Sequence, residues 1–235
     1  MSLILWNALK LYLFKGYFHN TQLNMIPKLH YISQGNSHKS HLDNIQNACA
    51  NGAELIVLDI QNSSEKKFLK TAKQARDITA HFHTRLIINA HIKVAKDLKV
   101  DGVHIDTTAV CPTSIRKELY PWQLIGATAN SLQDCENFIN KEVDYIYLAP
   151  FRATENTQST VLGLNGFIAI LEALQSDTPI IGVGGINTAD VTSILETGIS
   201  GIGVSDEITQ DFNTIKIFSK LLTASSTQEK RHSFQ

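Results

Sequence analysis

From Lys28 onward, short runs of apolar and β-branched residues alternate with longer stretches whose apolar positions recur at helical spacing, and this alternation restricts the fold more than any other feature of the chain. Strands are expected at Leu29 to Ser33, Leu55 to Ile60, Arg85 to Ala90, Gly102 to Ile105, Gln123 to Thr128, Tyr145 to Pro150, Pro179 to Gly184 and Gly201 to Ser205. Helices are expected at Leu42 to Ala50, Glu65 to Ala80, Ser131 to Asn140, Leu164 to Leu174, Thr188 to Glu196 and Asn213 to Leu222. A run such as Leu55 Ile56 Val57 Leu58 is apolar on both faces, which suits a parallel strand covered by helices and not a half-wet hairpin. Eight such units with no second region of different composition predict an α/β fold, a single (β/α)8 TIM barrel over residues 25–224. An open dinucleotide-binding sheet would carry G-x-G-x-x-G after its first strand, and Ser33 Gln34 Gly35 Asn36 does not supply it.

Composition narrows the function. Hydrophobic residues make up 43% and charged residues 18% of the 235, enough for a core and too little charge for a disordered chain. Lys and Arg number 21 against 22 acidic residues, so no overall field draws the chain to nucleic acid or to an anionic membrane. Cys49, Cys111 and Cys135 are too far apart for a C-x-x-C metal site and odd in number, which fits a reducing, cytoplasmic setting. No window of about 18 apolar residues predicts a membrane span. Residues 1–24 are apolar but lack a basic leader and a cleavage site; they are expected to be an N-terminal extension outside the fold, with Met25 as an internal start. The polar segment 225–235 is expected to trail as a C-terminal tail.

In a barrel the chemistry sits at the carboxyl ends of the strands. After the seventh strand the chain reads Gly182 Val183 Gly184 Gly185 Ile186 Asn187, and after the eighth Gly203 Val204 Ser205 Asp206. Glycines there expose backbone N–H groups, which makes either a phosphate cup or simply a tight turn. His104 at the end of the fourth strand is either a titrating mouth residue or a hydrogen-bonded wall residue. Asp59 and Asp106 are either an acidic pair with one raised pKa or helix caps. His81, His83 and His91 lie at opposite ends of the third strand and make no metal site, and Tyr120 and Trp122 sit at the amino end, where packing is their expected role. Tyr145 and Tyr147 alternate with Ile146 and Leu148, one set facing the barrel and the other the helices.

The segments Arg85 Leu86 Ile87 Ile88 Asn89, Asp101 Gly102 Val103 His104 Ile105, Ile125 Gly126 Ala127 Thr128, Asp144 to Pro150 and Thr178 to Ile208 occur in an order and spacing that resembles the thiamine phosphate synthase and thiazole tautomerase superfamily. The resemblance covers about Leu29 to Ala224. It implies a transferase of thiamine biosynthesis that joins hydroxymethylpyrimidine diphosphate to thiazole phosphate, with Mg2+ helping diphosphate leave. It further implies Asn89 and Thr154 as catalytic residues, and Gly184, Gly185, Ile186, Thr128, His104 and Ser205 as the substrate and phosphate site; Arg152 is the third catalytic candidate, either turned inward to replace the charge of the family's lysine or facing solvent. The family's Gly-Gln-x-Asp carboxylate after His104 has no match here, and Asp106, from a shifted position, is the candidate metal ligand; small phosphorylated heterocycles, with a homo-oligomeric assembly, are the implied partners. The chain departs from the family pattern at several points. Val57, Asp59 and Gln61 stand where Gln-x-Arg-x-Lys is usual, and Ala90 where an aspartate follows the asparagine. Thr157 replaces a lysine, Asp206 a serine, and Asn130 the histidine of the tautomerases. These departures imply the other readings: a homologue of altered specificity, or a non-catalytic one, that binds a thiamine-related or other phosphorylated ligand, or a thiazole tautomerase-like protein.

Overall fold

The computed structural model describes residues 26–106, 110–154 and 159–232, with backbone only for 225–232. Eight parallel strands form a closed ring in sequence order: β1 (Leu29–Ile32), β2 (Leu55–Leu58), β3 (Arg85–Asn89), β4 (Gly102–Ile105), β5 (Leu124–Ala129), β6 (Tyr145–Leu148), β7 (Ile180–Val183) and β8 (Gly201–Val204). The ring closes where β1 pairs with β8, His30 opposite Gly203. The expected barrel is therefore present, with all eight strands where the apolar runs placed them.

The helices are α1 (His38–Ala50), α2 (Glu65–His81), α3 (Ile92–Leu98), α4 (Pro112–Glu118), α5 (Leu132–Ile139), α6 (Gly163–Ala173), α7 (Val191–Glu196), α8 (Asp206–Gln210) and α9 (Thr214–His232). Helix α1 begins four residues before its apolar period because Ser37 and Ser40 form a reciprocal capping box, the Ser37 hydroxyl accepting from Ser40 N. Helices α3, α4 and α8 are five to seven residues long, too short for a period of 3.6 to register in sequence. Helix α9 continues in backbone to His232, through the polar stretch expected to trail away; no glycine or proline interrupts 214–232, and Gln, Glu, Lys and Arg are good helix formers without any apolar face.

Strand residues alternate between two cores. Leu58, Leu86, Ile88, Val103, Ile146 and Leu148 face outward against Phe68, Phe138 and Phe167 of the helices. Leu55, Val57, Ile87, Leu124, Tyr145, Tyr147, Ile181 and Val183 fill the lumen. Both tyrosines thus belong to the barrel set. Space for the Tyr145 ring comes from Gly126, its register partner: a Cβ there would lie 2.0 Å from Tyr145 Cζ. The helical layer is tied to the strands by Arg116, which donates to the carbonyl of Gln123 and to Asp144 Oδ2, each at 2.5 Å, while Asp144 Oδ2 also accepts Ile125 N at 2.7 Å. Removing the guanidinium leaves a half-buried carboxylate under-satisfied, so Arg116→Met is expected to lower the unfolding free energy by about 1–3 kcal/mol in a denaturant titration.

Candidate active site

The period of two continues past the strand ends. Val57 leads to Asp59 and Ile87 to Asn89, and at the next strand His104 is followed at the same parity by Asp106, so these polar side chains sit above the apolar lumen. Asn89, 6% exposed, donates through Nδ2 to Asp59 Oδ1 at 3.1 Å and to Asp106 Oδ2. Its Oδ1 is buried and has no hydrogen-bond partner. Asp59 Oδ1 also accepts Gln61 Nε2 at 2.6 Å, and Asp106 Oδ1 accepts the Thr128 hydroxyl at 3.0 Å. Burial, and then the charge of Asp106, raise the Asp59 carboxyl above its ordinary pKa. The acidic-pair reading of Asp59 and Asp106 accounts for these contacts; a capping role does not.

His104 is a wall residue of this cluster, 1% exposed, with Nδ1 3.1 Å from the Tyr145 hydroxyl and Nε2 2.8 Å from Thr128 Oγ1. Burial lowers its pKa to about 4, with Asp106 opposing the shift, so the ring is neutral at pH 7. Lower in the lumen, His30 reaches the Tyr147 hydroxyl through Nδ1 at 2.7 Å and the Pro27 carbonyl through Nε2 at 2.9 Å, and burial lowers its pKa to about 3.

The other half of the mouth holds the glycine pair after β7. Gly184 and Gly185 adopt φ of +103° and +67°, a region that favours glycine. The loop after β6 lies directly on them, with Phe151 N donating to Val183 O at 2.8 Å and Arg152 N to Gly184 O at 2.9 Å. A Cβ on Gly185 would come within 3.2 Å of Arg152 Cβ and 3.3 Å of Thr154 Cγ2. Thr154, Gly184, Gly185, Ile186 and Ser205 line one cavity of about 780 Å3, together with Gln34, Asp206 and Glu207. Ser205 Oγ donates to Ile32 O at 2.9 Å, and Gln34 Nε2 to Asp206 Oδ1 at 2.5 Å. A neighbouring cavity of about 910 Å3, sharing Ile32, Gln34 and Ser205, is lined by Ser33, His41, Asp59 and Gln61 among others. Among the described residues, no Lys or Arg lines either cavity. Arg152 donates to the Gly185 carbonyl at 2.5 Å and to both Asp190 oxygens at 2.8 and 3.2 Å.

The sequence-derived site residues therefore form two groups on one rim. Thr154, Gly184, Gly185, Ile186 and Ser205 share a cavity; Asn89, His104, Asp106 and Thr128 are joined by hydrogen bonds and line neither of these two cavities. Asp59 links them, bonded to Asn89 and lining the second cavity. Tyr145 and Gln34 were missed as site residues; only the alternation in β6 and the strand-end position of Gln34 could have signalled them. Thr157 lies outside the described residues.

Residues 29–208, more than half the chain and every strand of the ring, match the family model described as thiamine monophosphate synthase. The chain belongs to this family. Among similar proteins are the thiamine-phosphate synthase of Flavobacterium johnsoniae, 34% identical over 191 residues (79% of this chain, 90% of the relative), and that of Bacteroides fragilis strain NCTC 9343, 31% identical over 187 residues (77% and 92%). The solved thiamine phosphate pyrophosphorylase from Pyrococcus furiosus superposes with a TM-score of 0.72 at 24% identity, covering 83% of this chain and 96% of its own, a likeness of fold. The thiamine phosphate synthase resemblance read from the ordered segments is borne out. Among the described residues no helix is long and apolar enough to cross a membrane, and no three His, Cys, Asp or Glu gather into a metal-binding group.

Proposed function

We propose that this thiamine phosphate synthase-like chain is a transferase of cytoplasmic thiamine biosynthesis that joins the methylene carbon of hydroxymethylpyrimidine diphosphate to the ring nitrogen of thiazole phosphate and releases diphosphate. The observation that carries the reading is the continuity of the family match, from the first residue of β1 to Ile208 in α8, with no strand of the ring left out. The Gly184–Gly185 cup and Thr154 suit the thiazole phosphate, since backbone N–H groups at positive φ reach an anion without a side chain in the way. The family implies a divalent cation, and the donor chemistry fits one: Asp59 and Asp106 reach a single amide, and the buried Asn89 oxygen has no partner. Two carboxylates suffice for Mg2+ when a diphosphate supplies further oxygens. Asp59, Asp106 and Asn89 would hold the ion, which when bound supplies positive charge to the departing diphosphate. His104, Thr128 and Tyr145 shape the neutral wall beside it.

Purified protein supplied with Mg2+ and both substrates is expected to form thiamine phosphate, and Asp106→Ala to abolish its formation; absence of product above background from the unaltered protein sinks the transferase reading.

A second reading is favoured by the charges on the rim. The guanidinium of Arg152 is already paired with Asp190, and Asp206 and Glu207 line the phosphate cup. These features suit a homologue that binds a thiamine-related ligand without turnover. On that reading thiazole phosphate or thiamine phosphate raises the melting temperature, whereas diphosphate with Mg2+ does not. Under either reading Asp206 opposes a phosphate in the cup. Like charges at about 4 Å cost about 1 kcal/mol in water, so Asp206→Ser is expected to tighten thiazole phosphate binding at least about fivefold by calorimetry; unchanged affinity would place the phosphate elsewhere.

A further inference from the structure

Hydrogen-bond counting along the upper lumen gives one consistent direction. A carboxylate only accepts, and a threonine hydroxyl has one hydrogen, which Thr128 gives to Asp106 Oδ1 at 3.0 Å. Thr128 Oγ1 must then accept from His104 Nε2, 2.8 Å away, so that nitrogen carries the imidazole hydrogen. On the other side of the ring, Nδ1 lies 3.1 Å from the Tyr145 hydroxyl. The chain joins Tyr145, His104 and Thr128 to Asp106, and from His104 onward each link donates toward the mouth. It is rigid at its origin: Tyr145 is fully buried, seated over Gly126.

We propose that Tyr145, His104 and Thr128 are positioning residues for Asp106, holding its Oδ1 by a chain of hydrogen bonds while Asn89 holds Oδ2, so that the carboxylate meets its ligand in one fixed orientation. The ligand side of this inference rests on the cation reading of the site given above; the chain itself rests only on the hydrogen bonds. Groups that brace a metal-ligating carboxylate in this way typically change ion affinity when removed, by roughly 10- to 100-fold. The brace differs from a purely packing role, which an isosteric apolar residue would preserve.

Two measurements on the full chain test it. Nitrogen-15 NMR of histidine-labelled protein at pH 7 is expected to show His104 protonated at Nε2, where Thr128 accepts it. A His104 ring bare at Nε2 in the unaltered protein overturns the proposal. Mn2+ affinity, followed by electron paramagnetic resonance, is expected to fall roughly 10- to 100-fold in Thr128→Val and to recover in Thr128→Ser. Equal affinity in a folded Thr128→Val variant overturns the positioning role. If the unaltered protein binds no Mn2+, the cation reading of the site fails, and the His104 tautomer alone decides for or against the chain.

Discussion

Lowering the pH from 7 to 5 is expected to remove about 4 kcal/mol of the barrel's stability through two lumen histidines alone. In the unfolded chain His30 and His104 take up a proton as pH falls through their ordinary value of 6.5; in the barrel burial keeps them neutral until about pH 3 and about pH 4. Between these limits the unfolded state binds more protons, so stability rises with pH there, and the benefit of the neutral rings is lost on acidification. At pH 5 each histidine lies about 1.5 units below its unfolded pKa, which corresponds to about 2 kcal/mol apiece. Asp59 works in the opposite sense, because its raised folded pKa lets the barrel bind a proton before the unfolded chain does. Against a total of about 5–15 kcal/mol for a typical domain the histidine effect is large. Urea midpoints measured at pH 7 and pH 5 should differ accordingly, and His30→Gln or His104→Gln should each flatten the pH slope by about 1.4 kcal/mol per unit. A wild-type midpoint that does not move between the two pH values would show that the imidazoles are not neutral in the folded lumen.

A single methyl group at position 126 should be nearly as damaging. The Cβ of Gly126→Ala would fall 2.0 Å from Tyr145 Cζ and 2.4 Å from its hydroxyl, far inside van der Waals contact. The ring has no direction of retreat, with the His30, His104 and Tyr147 rings centred 5.3 to 5.5 Å away. Overpacking of a core costs about 1–3 kcal/mol, and this site belongs at the upper end or beyond. For a chain of this length each kcal/mol lowers the melting temperature by roughly 2–4 °C. Tyr145→Leu removes the obstructing atoms, so the double variant should be less destabilised than the sum of the two single ones. Strict additivity in that cycle would mean that the alanine is accommodated by backbone movement and not by the ring.

Much of the architecture was legible in sequence because a parallel strand buried on both faces leaves a mark that needs no knowledge of its neighbours. Leu55 to Leu58 and Tyr145 to Leu148 are apolar without a break, and both are strands. Helix α3 left no such mark because seven residues contain barely two turns. The special backbone after β7 was legible too, since paired glycines at a strand end mark a conformation few other residues adopt, and Gly184 and Gly185 both take positive φ. The Asp59–Asn89–Asp106 contact was not, because it depends on the stagger between β2, β3 and β4, which fixes side-chain heights only once the ring has closed. The fate of Arg152 was equally hidden: its partner Asp190 lies 38 residues further on, across the loop between β7 and α7.

The seam between β1 and β8 has a consequence for how the molecule is made. Ile202 N bonds to Lys28 O at 2.7 Å, Ser205 Oγ to Ile32 O, and the Tyr31 hydroxyl to Thr209 Oγ1 at 2.9 Å, joining segments more than 170 residues apart. A polypeptide emerging from the ribosome N-terminus first exposes the free edge of its opening strand through nearly the whole of its synthesis, and only the arrival of the closing one satisfies it. Nascent chains halted before Gly201 therefore carry an unsealed edge, the part of an unfinished ring that invites a chaperone or a neighbouring chain.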